Sequence, residues 1–391
     1  MDEKHSDRRR KESFLRLLED DSRQAPACPH VAEGCGGCML QEYGYDDQVR
    51  VKVRYLEGVY GRPVEVHPCS EPLGYRNRMD FVQAFGKSGL RKRGKYAQVV
   101  NVKVCLLHSA AAQEAYRKAR EIIISHNIPD YNYIRHDGFL KYIVVRTGEV
   151  GEIMVILTTV APSVEQDAVF RSILHEVAAT GATSVWWTTV KGKADVSVGE
   201  PYMHVGRDYI IDVIAGKRFR VGPTTFFQAN TRMAGELFTA AAEHVRGAVL
   251  DLYCGVGVIS AIVASKASRV VGVELNAQAV AAAQENASLN KIVNAEFHVA
   301  DAAQWLASNN ISFDTVICDP ARPGLGKEAC ALLLRQAPQR IIYISCNPLT
   351  HQEDIERLSA GYEVTLLEGY DLFPQTPHIE VLSVMERKAS G

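Results

Sequence analysis

From about residue 216 onward, apolar runs of strand length alternate with segments of helical periodicity. Helix-like "TRMAGELFTAAAEHV" precedes strand-like "AVLDLYCG". Helix-like "VISAIVASKA" and "NAQAVAAAQENASLN" then alternate with the strands "RVVGVEL" and "AEFHVAD". The strand "FDTVICDP", the helix "GKEACALLLRQA", the strand "QRIIYISCN" and a C-terminal strand pair complete the series. This alternation predicts a parallel sheet with helices on both faces, an α/β domain. Residues 65–215 read differently. Strand-like runs such as "MDFVQAF", "KYIVVRTG", "EIMVILTTV" and "ATSVWWTTV" are interrupted by helical patterns over Ser109–His126 and Val164–Ala179, which predicts a smaller α+β middle domain. Val49, Val53, Leu56 and Val59 have the spacing of a helix over about 46–60. The division expected is a mobile polar tail over 1–25, with a short helix around Ser13–Leu18, then a cysteine-rich loop and helix over 26–64, the middle domain over 65–215 and the α/β domain over 216–391.

Composition narrows the class. No apolar run reaches the roughly 18 residues of a membrane span, and the charged N-terminus lacks the apolar stretch of a signal peptide. The cytosol is the expected location, where nine cysteines in 391 residues are not expected to pair as disulfides. A formal net charge of −2 means that any nucleic-acid binding must come from a local patch.

The stretch "VLDLYCGVGVIS", residues 249–260, reads as a strand, a glycine-rich turn and a helix. It departs from the dinucleotide fingerprint and instead places Asp251 at the strand end, followed by Tyr253, Gly255 and Gly257. The next strand ends in Glu274, a carboxylate suited to two ribose hydroxyls. The third ends in Asp301, suited to an adenine amino group. Glycines with acidic strand tips in this order form a nucleoside site, and the layout resembles class I methyltransferases, which bind S-adenosylmethionine.

Two more strand tips carry reactive side chains. "CDPARPGLG" (318–326) presents Asp319, and "YISCNP" presents Cys346 where a buried strand meets its loop, the edge at which ligands bind in open α/β sheets. "GPTTFFQANT" (222–231) and "DLFPQTPHIEVLSVMER" (371–387) complete a set of five motifs in order. Together they resemble the RNA 5-methyluridine methyltransferases, the bacterial RlmC, RlmD and TrmA group, over Cys28–Arg387. The resemblance implies that Cys346 is the nucleophile, Glu380 the base, Asp319 a carboxylate beside substrate and cofactor, and Gln228 a cofactor contact. The residue types suit the chemistry, because carbon 5 of uracil becomes nucleophilic only after a thiolate adds to carbon 6, and a base must afterwards remove the carbon 5 proton. A base in a structured RNA has to swing out of its stack to reach such a site. Cys254, Cys318 and Cys330 read as buried hydrophobes.

Cys28, Cys35 and Cys38 have the spacing C-x6-C-x2-C, and Cys105 is the fourth candidate. Four thiolates can hold zinc or an iron–sulfur cluster, and spacing alone does not choose. The resemblance implies a [4Fe-4S] cluster on these four. Arg76, Arg78, Arg91, Lys92, Arg93 and Lys95 crowd one segment with Asp80 as its sole acid, interleaved with Tyr75, Phe81, Phe85 and Tyr96. An RNA-contacting surface is expected there, its charges unpaired. Some relatives carry a β-barrel RNA-binding domain before the cysteines, and 27 residues are too few for one. The layout is therefore closest to the barrel-less RlmC-like enzymes, and 23S ribosomal RNA is favoured over the T-loop of transfer RNA. An iron–sulfur RNA-binding protein without catalysis is the alternative from another class, opposed by the intact Cys346, Glu380, Asp319 and Gln228.

Overall fold

The computed structural model describes residues 14–18, 23–148, 150–309 and 313–389. Most of the predicted tail, residues 1–13 and 19–22, lies outside them. Its described part is not a solvated tail: Phe14 and Leu18 are buried among Leu40, Tyr55 and Leu56. The surrounding charges hide this apolar pair in the sequence.

The strands are β1 (Glu65–His67), β2 (Arg78–Ala84), β3 (Lys87–Lys92), β4 (Lys95–Asn101), β5 (Leu140–Thr147), β6 (Ile153–Thr159), β7 (Ser184–Thr189) and β8 (Glu200–Gly206). A hairpin of β9 (Ile210–Ile214) and β10 (Lys217–Val221) follows. Then come β11 (Ala248–Leu252), β12 (Arg269–Glu274), β13 (Ala295–Val299), β14 (Thr315–Cys318), β15 (Arg340–Ser345), β16 (Tyr362–Tyr370) and β17 (Glu380–Arg387).

β2–β8 form the middle sheet in the order β4-β3-β2-β5-β6-β7-β8. It is antiparallel except where β6 and β7 run parallel, joined by the helix Val164–Ala179. That helix starts in a capping box between Ser163 and Gln166, and the helix Ala110–Ser125 is capped by the Ser109 hydroxyl. Both helices match the predicted patterns. Their apolar faces close a core in which Phe139, Phe170 and Trp187 pack ring against ring.

The second sheet has the order β1-β16-β17-β15-β14-β11-β12-β13. All its neighbours are parallel except β17, which runs antiparallel between β15 and β16. Two predicted boundaries shift. β1, assigned by sequence to the middle domain, completes the edge of this sheet beside β16. A boundary at 215/216 falls inside the β9–β10 turn, where Ala215 and Gly216 take φ of 48° and 74°. A three-residue strand and a tight turn leave no compositional trace.

The helix Tyr45–Tyr60 forms where expected; of the predicted series Leu56 is buried and Val49, Val53 and Val59 are half-buried against the core, while the other buried residues are Gln48, Val51, Lys52 and Tyr55. Lys52 is fully buried, its Nζ 2.5 Å from the equally buried Asp371, which also accepts a 3.0 Å hydrogen bond from Tyr45 Oη. Burial lowers the pKa of Lys52, and Asp371 opposes that shift. A pattern read from apolar residues alone misses a face whose polar residues are buried because they have partners.

Candidate active site

Sheet register gathers the strand-tip residues. β15 and β17 are antiparallel with Ser345 opposite Val381, and Cys346 and Glu380 are the next positions along the two strands, at the carboxyl edge of the parallel strands. β14 lies on the other side of β15, so Asp319 opens onto the same edge, and its backbone N–H points to Leu252 O at the end of β11. Asn347 Nδ2 and Thr350 Oγ1 each donate to Arg322 O at 3.1 Å, tying the loop after Cys346 to the loop after Asp319. Asp354, itself buried, accepts from Leu325 N at 2.7 Å and from Tyr343 Oη at 2.9 Å, which fixes the far end of the Asp319 loop. Of the nine cysteines, all described, Cys346 alone is not buried. Burial pushes the Cys330 thiol up to about 12 and raises those of Cys254 and Cys318 further, so these three behave as packing residues.

The cofactor half adjoins this edge. Gly257 begins the helix Val258–Val263 with φ 79°, and a Cβ there would lie 3.0 Å from that of Ala283. Gly255 N donates to Glu274 Oε2 at 3.2 Å, and Asn276 N donates to Glu274 Oε1 at 2.8 Å, so the carboxylate at the tip of β12 is held in place. Tyr253 takes a left-handed φ of 64° in the same turn. Asp301 caps the helix Ala302–Ser308 through Gln304 N, a structural task the sequence reading did not give it.

Asp251 is fully buried; its Oδ2 accepts from Ser260 Oγ at 2.6 Å, and its Oδ1 has no protein partner. Burial pushes Asp251 up to about 7, and burial together with the charge of Asp251 pushes Asp319 up to about 7. Two carboxyls whose ionisation is penalised in this way favour a cationic ligand. The orphaned Oδ1 and the glycine turn therefore fit S-adenosylmethionine, which carries an ammonium and a sulfonium.

Gln228 lies on the loop 222–228, which is held rigidly. The buried Arg146 donates to Gly222 O at 2.9 Å and to Thr225 O at 2.8 Å, and Asn77 Nδ2 donates to Gln228 O at 2.8 Å. Phe226 stands out from this braced loop with 81% exposure. Sequence reasoning passed over it, although an aromatic two residues before Gln228 in a motif of small and polar residues was the available signal. A cleft of about 580 Å³ lies where the β7–β8 connection approaches Thr224 and Gln278.

Cys28, Cys35, Cys38 and Cys105 are buried around one small apolar cavity together with Leu90 and Leu107. Cys69 lies elsewhere, against Asn230 and Tyr45. No group of three or more His, Cys, Asp or Glu among the described residues is arranged to hold a metal ion.

The β3–β4 hairpin lies on this loop. Gly36 N donates to Arg91 O, Arg93 N to Gly34 O and Arg93 Nη2 to Cys38 O. The expectation of unpaired basic charge is corrected here. Arg91 is ion-paired with Asp195 at 2.7 Å and stacked on Tyr96 and Tyr133, and Arg78 is paired with Asp80 at 2.8 Å. Arg76 lies over the Phe373 ring and Lys92 packs along Gly34. Arg93 and Lys95 are the exposed members of the predicted set. Asp195 comes from a loop about a hundred residues further on, a pairing that no local charge count contains.

The fold and the site define a class, the S-adenosylmethionine-dependent methyltransferases of the α/β type. Comparison with known proteins narrows the class. Residues 199–388 match the model of the tRNA (uracil-5-)-methyltransferase family. The chain is 34% identical over 374 residues, 95% of its length and 88% of the relative's, to a tRNA (uracil(54)-C(5))-methyltransferase of Pyrococcus furiosus. The corresponding Pyrococcus horikoshii enzyme is 35% identical over 373 residues, covering 95% of this chain and 88% of the relative. The crystal structure of Pyrococcus abyssi tRNA (uracil-54, C5)-methyltransferase with S-adenosyl-L-homocysteine superposes with a TM-score of 0.79 at 31% identity, covering 90% of this chain and 86% of that one. The chain belongs to the RNA uracil-C5 methyltransferase family and is an S-adenosylmethionine-dependent enzyme. No helix among the described residues is long and apolar enough to cross a membrane.

Proposed function

We propose that this enzyme methylates carbon 5 of a uridine in the T-loop of transfer RNA, through a covalent intermediate on Cys346. The observation that supports the mechanism is the β15–β17 register, whose last pair, Ser345 and Val381, directly adjoins Cys346 and Glu380 at the strand edge shared with Asp319. S-adenosylmethionine, when bound, supplies the methyl group. Cys346 as thiolate adds to carbon 6, and the electrons of the 5,6 double bond move to the carbonyl oxygen at carbon 4. Asp319, at the same strand edge, supports the uracil ring as that charge develops. Carbon 5 then takes the methyl group. Glu380 removes the carbon 5 proton, the double bond reforms and Cys346 leaves as thiolate. The braced, exposed Phe226 supports a stacking role for an unpaired base, and Arg93 and Lys95 offer charge to the RNA backbone.

For the RNA, the full-length likeness to enzymes named for tRNA uracil 54 supports transfer RNA over 23S ribosomal RNA. The test is to incubate the enzyme with both RNAs and methyl-labelled cofactor and to map the label by mass. We expect 5-methyluridine in the T-loop of transfer RNA. Label confined to 23S RNA overturns the substrate, and label on another base overturns the reaction.

The four cysteines around one cavity support a cluster-bearing loop. A single zinc would draw four sulfurs to about 2.3 Å from one point. Cys28, Cys35, Cys38 and Cys105 would supply the four thiolates that an iron–sulfur cluster takes. Its place is structural, since the loop pins the β3–β4 hairpin. Anaerobically purified protein should contain about four irons per chain. Stoichiometric zinc without iron contradicts this.

A further inference from the structure

The connection between β16 and β17, residues 371–379, leads directly into Glu380. It is anchored mainly by residues 39–75, with Asn230 Nδ2 donating to Leu372 O at 3.1 Å. Asp371 is held by Lys52 and Tyr45, and Pro374 O accepts from Tyr75 Oη at 3.0 Å. At its middle, Gln375 has a left-handed φ of 67°, a conformation that side-chain-bearing residues keep only when their surroundings impose it. Here two elements impose it. Gln48 reads Gln375 reciprocally: Gln48 Nε2 donates to Gln375 Oε1 at 2.9 Å, and Gln375 N donates to Gln48 Oε1 at 3.0 Å. Met39 N and Leu40 N, immediately after Cys38, donate to Gln375 O at 2.8 and 3.1 Å. Gln48 is itself fixed: its Nε2 also lies 3.0 Å from Leu40 O and from Tyr43 O, so its two hydrogens are shared among three acceptors. Gln48 is 1% exposed and Gln375 6%, so water cannot replace these bonds.

We infer that Gln48 and Gln375 are a positioning pair: they hold the loop so that Glu380 meets the carbon 5 proton, and through Met39 and Leu40 they join the cysteine loop to the base. Neither residue touches the reacting atoms. The inference rests on the reading of Glu380 as the base and assigns residues that act through it. It explains why a polar side chain faces inward on the helix Tyr45–Tyr60, and why the loop entering Glu380 is bonded to residues 39–75.

The test compares Gln48→Leu with Glu380→Gln and the parent, measuring three quantities: methyl transfer in a single turnover, the methyl-labelled protein–RNA adduct that survives denaturation, and thermal stability. Gln48→Leu should slow product release roughly 10- to 100-fold, the scale of a displaced catalytic group, while methyl transfer changes less. Adduct should therefore accumulate. Gln375→Leu should behave alike, and the double variant should be no worse than either single one, because the two side chains act as one unit. Transfer and release falling in parallel with the melting temperature, without adduct, would make the pair structural only. Adduct in Glu380→Gln but none in Gln48→Leu would reject the positioning pair and leave the base in place. Absence of adduct in Glu380→Gln would instead reject the reading on which the inference rests.

Discussion

Cys346→Ala should abolish methyl transfer while leaving S-adenosylmethionine and RNA binding intact. The cofactor turn at Gly255–Gly257, Glu274 and Asp251 belongs to β11 and β12 and is held by Gly255 N on Glu274 and Ser260 Oγ on Asp251, not by the strand that ends before Cys346. Without addition to carbon 6, carbon 5 stays electron-poor towards a sulfonium methyl. Turnover should therefore drop by at least about 10⁴-fold, the scale on which loss of a covalent nucleophile acts. Calorimetric binding of the cofactor alongside a single-turnover assay separates the two effects. Residual turnover within tenfold of the parent would take Cys346 out of the mechanism, whereas lost cofactor binding would show that the thiol shapes the pocket.

Glu380→Gln gives a different failure. The carbon 5 proton leaves only after methylation, so the amide blocks the second half of the reaction and spares the first. One methyl group should be transferred per enzyme, followed by release slowed about 10²- to 10⁴-fold, the usual contribution of a general base. Glu380 is 8% exposed and begins β17 opposite Tyr370, so an isosteric amide should fit without unfolding. A methyl-labelled protein–RNA complex stable on a denaturing gel is the expected readout. Turnover at the parental rate with no such complex would assign proton removal to another group.

The α/β half was legible because its strands are buried on both faces and read as continuous apolar runs with chemistry at their ends. Cys346, Asp319, Glu274 and Asp251 could be placed at one edge from sequence, since parallel strands end together. The middle-domain helices were legible from their helical patterns, and they form with Ser109 and Ser163 as caps. What escaped depends on contacts distant in sequence. Lys52 meets Asp371 across 319 positions and Gln48 meets Gln375 across 327, so a window of a few turns reads both as surface residues. Arg91 looked like an RNA contact because Asp195 is 104 positions away. The preference for 23S RNA came from the length before Cys28, which carries no information about how the substrate is bound.

The central claim is that Cys346 forms the bond to uracil in transfer RNA, and one measurement tests it most directly. Transfer RNA transcribed with 5-fluorouridine presents a carbon 5 whose fluorine Glu380 cannot remove as a cation, so the reaction should stop after methylation with the thioether intact. Intact mass should then equal protein plus RNA plus one methyl group less the thiol proton, and after digestion the nucleotide should be found on the peptide containing Cys346. A nucleotide on Cys69, Cys254 or any other cysteine, or no covalent complex at all, would contradict the account.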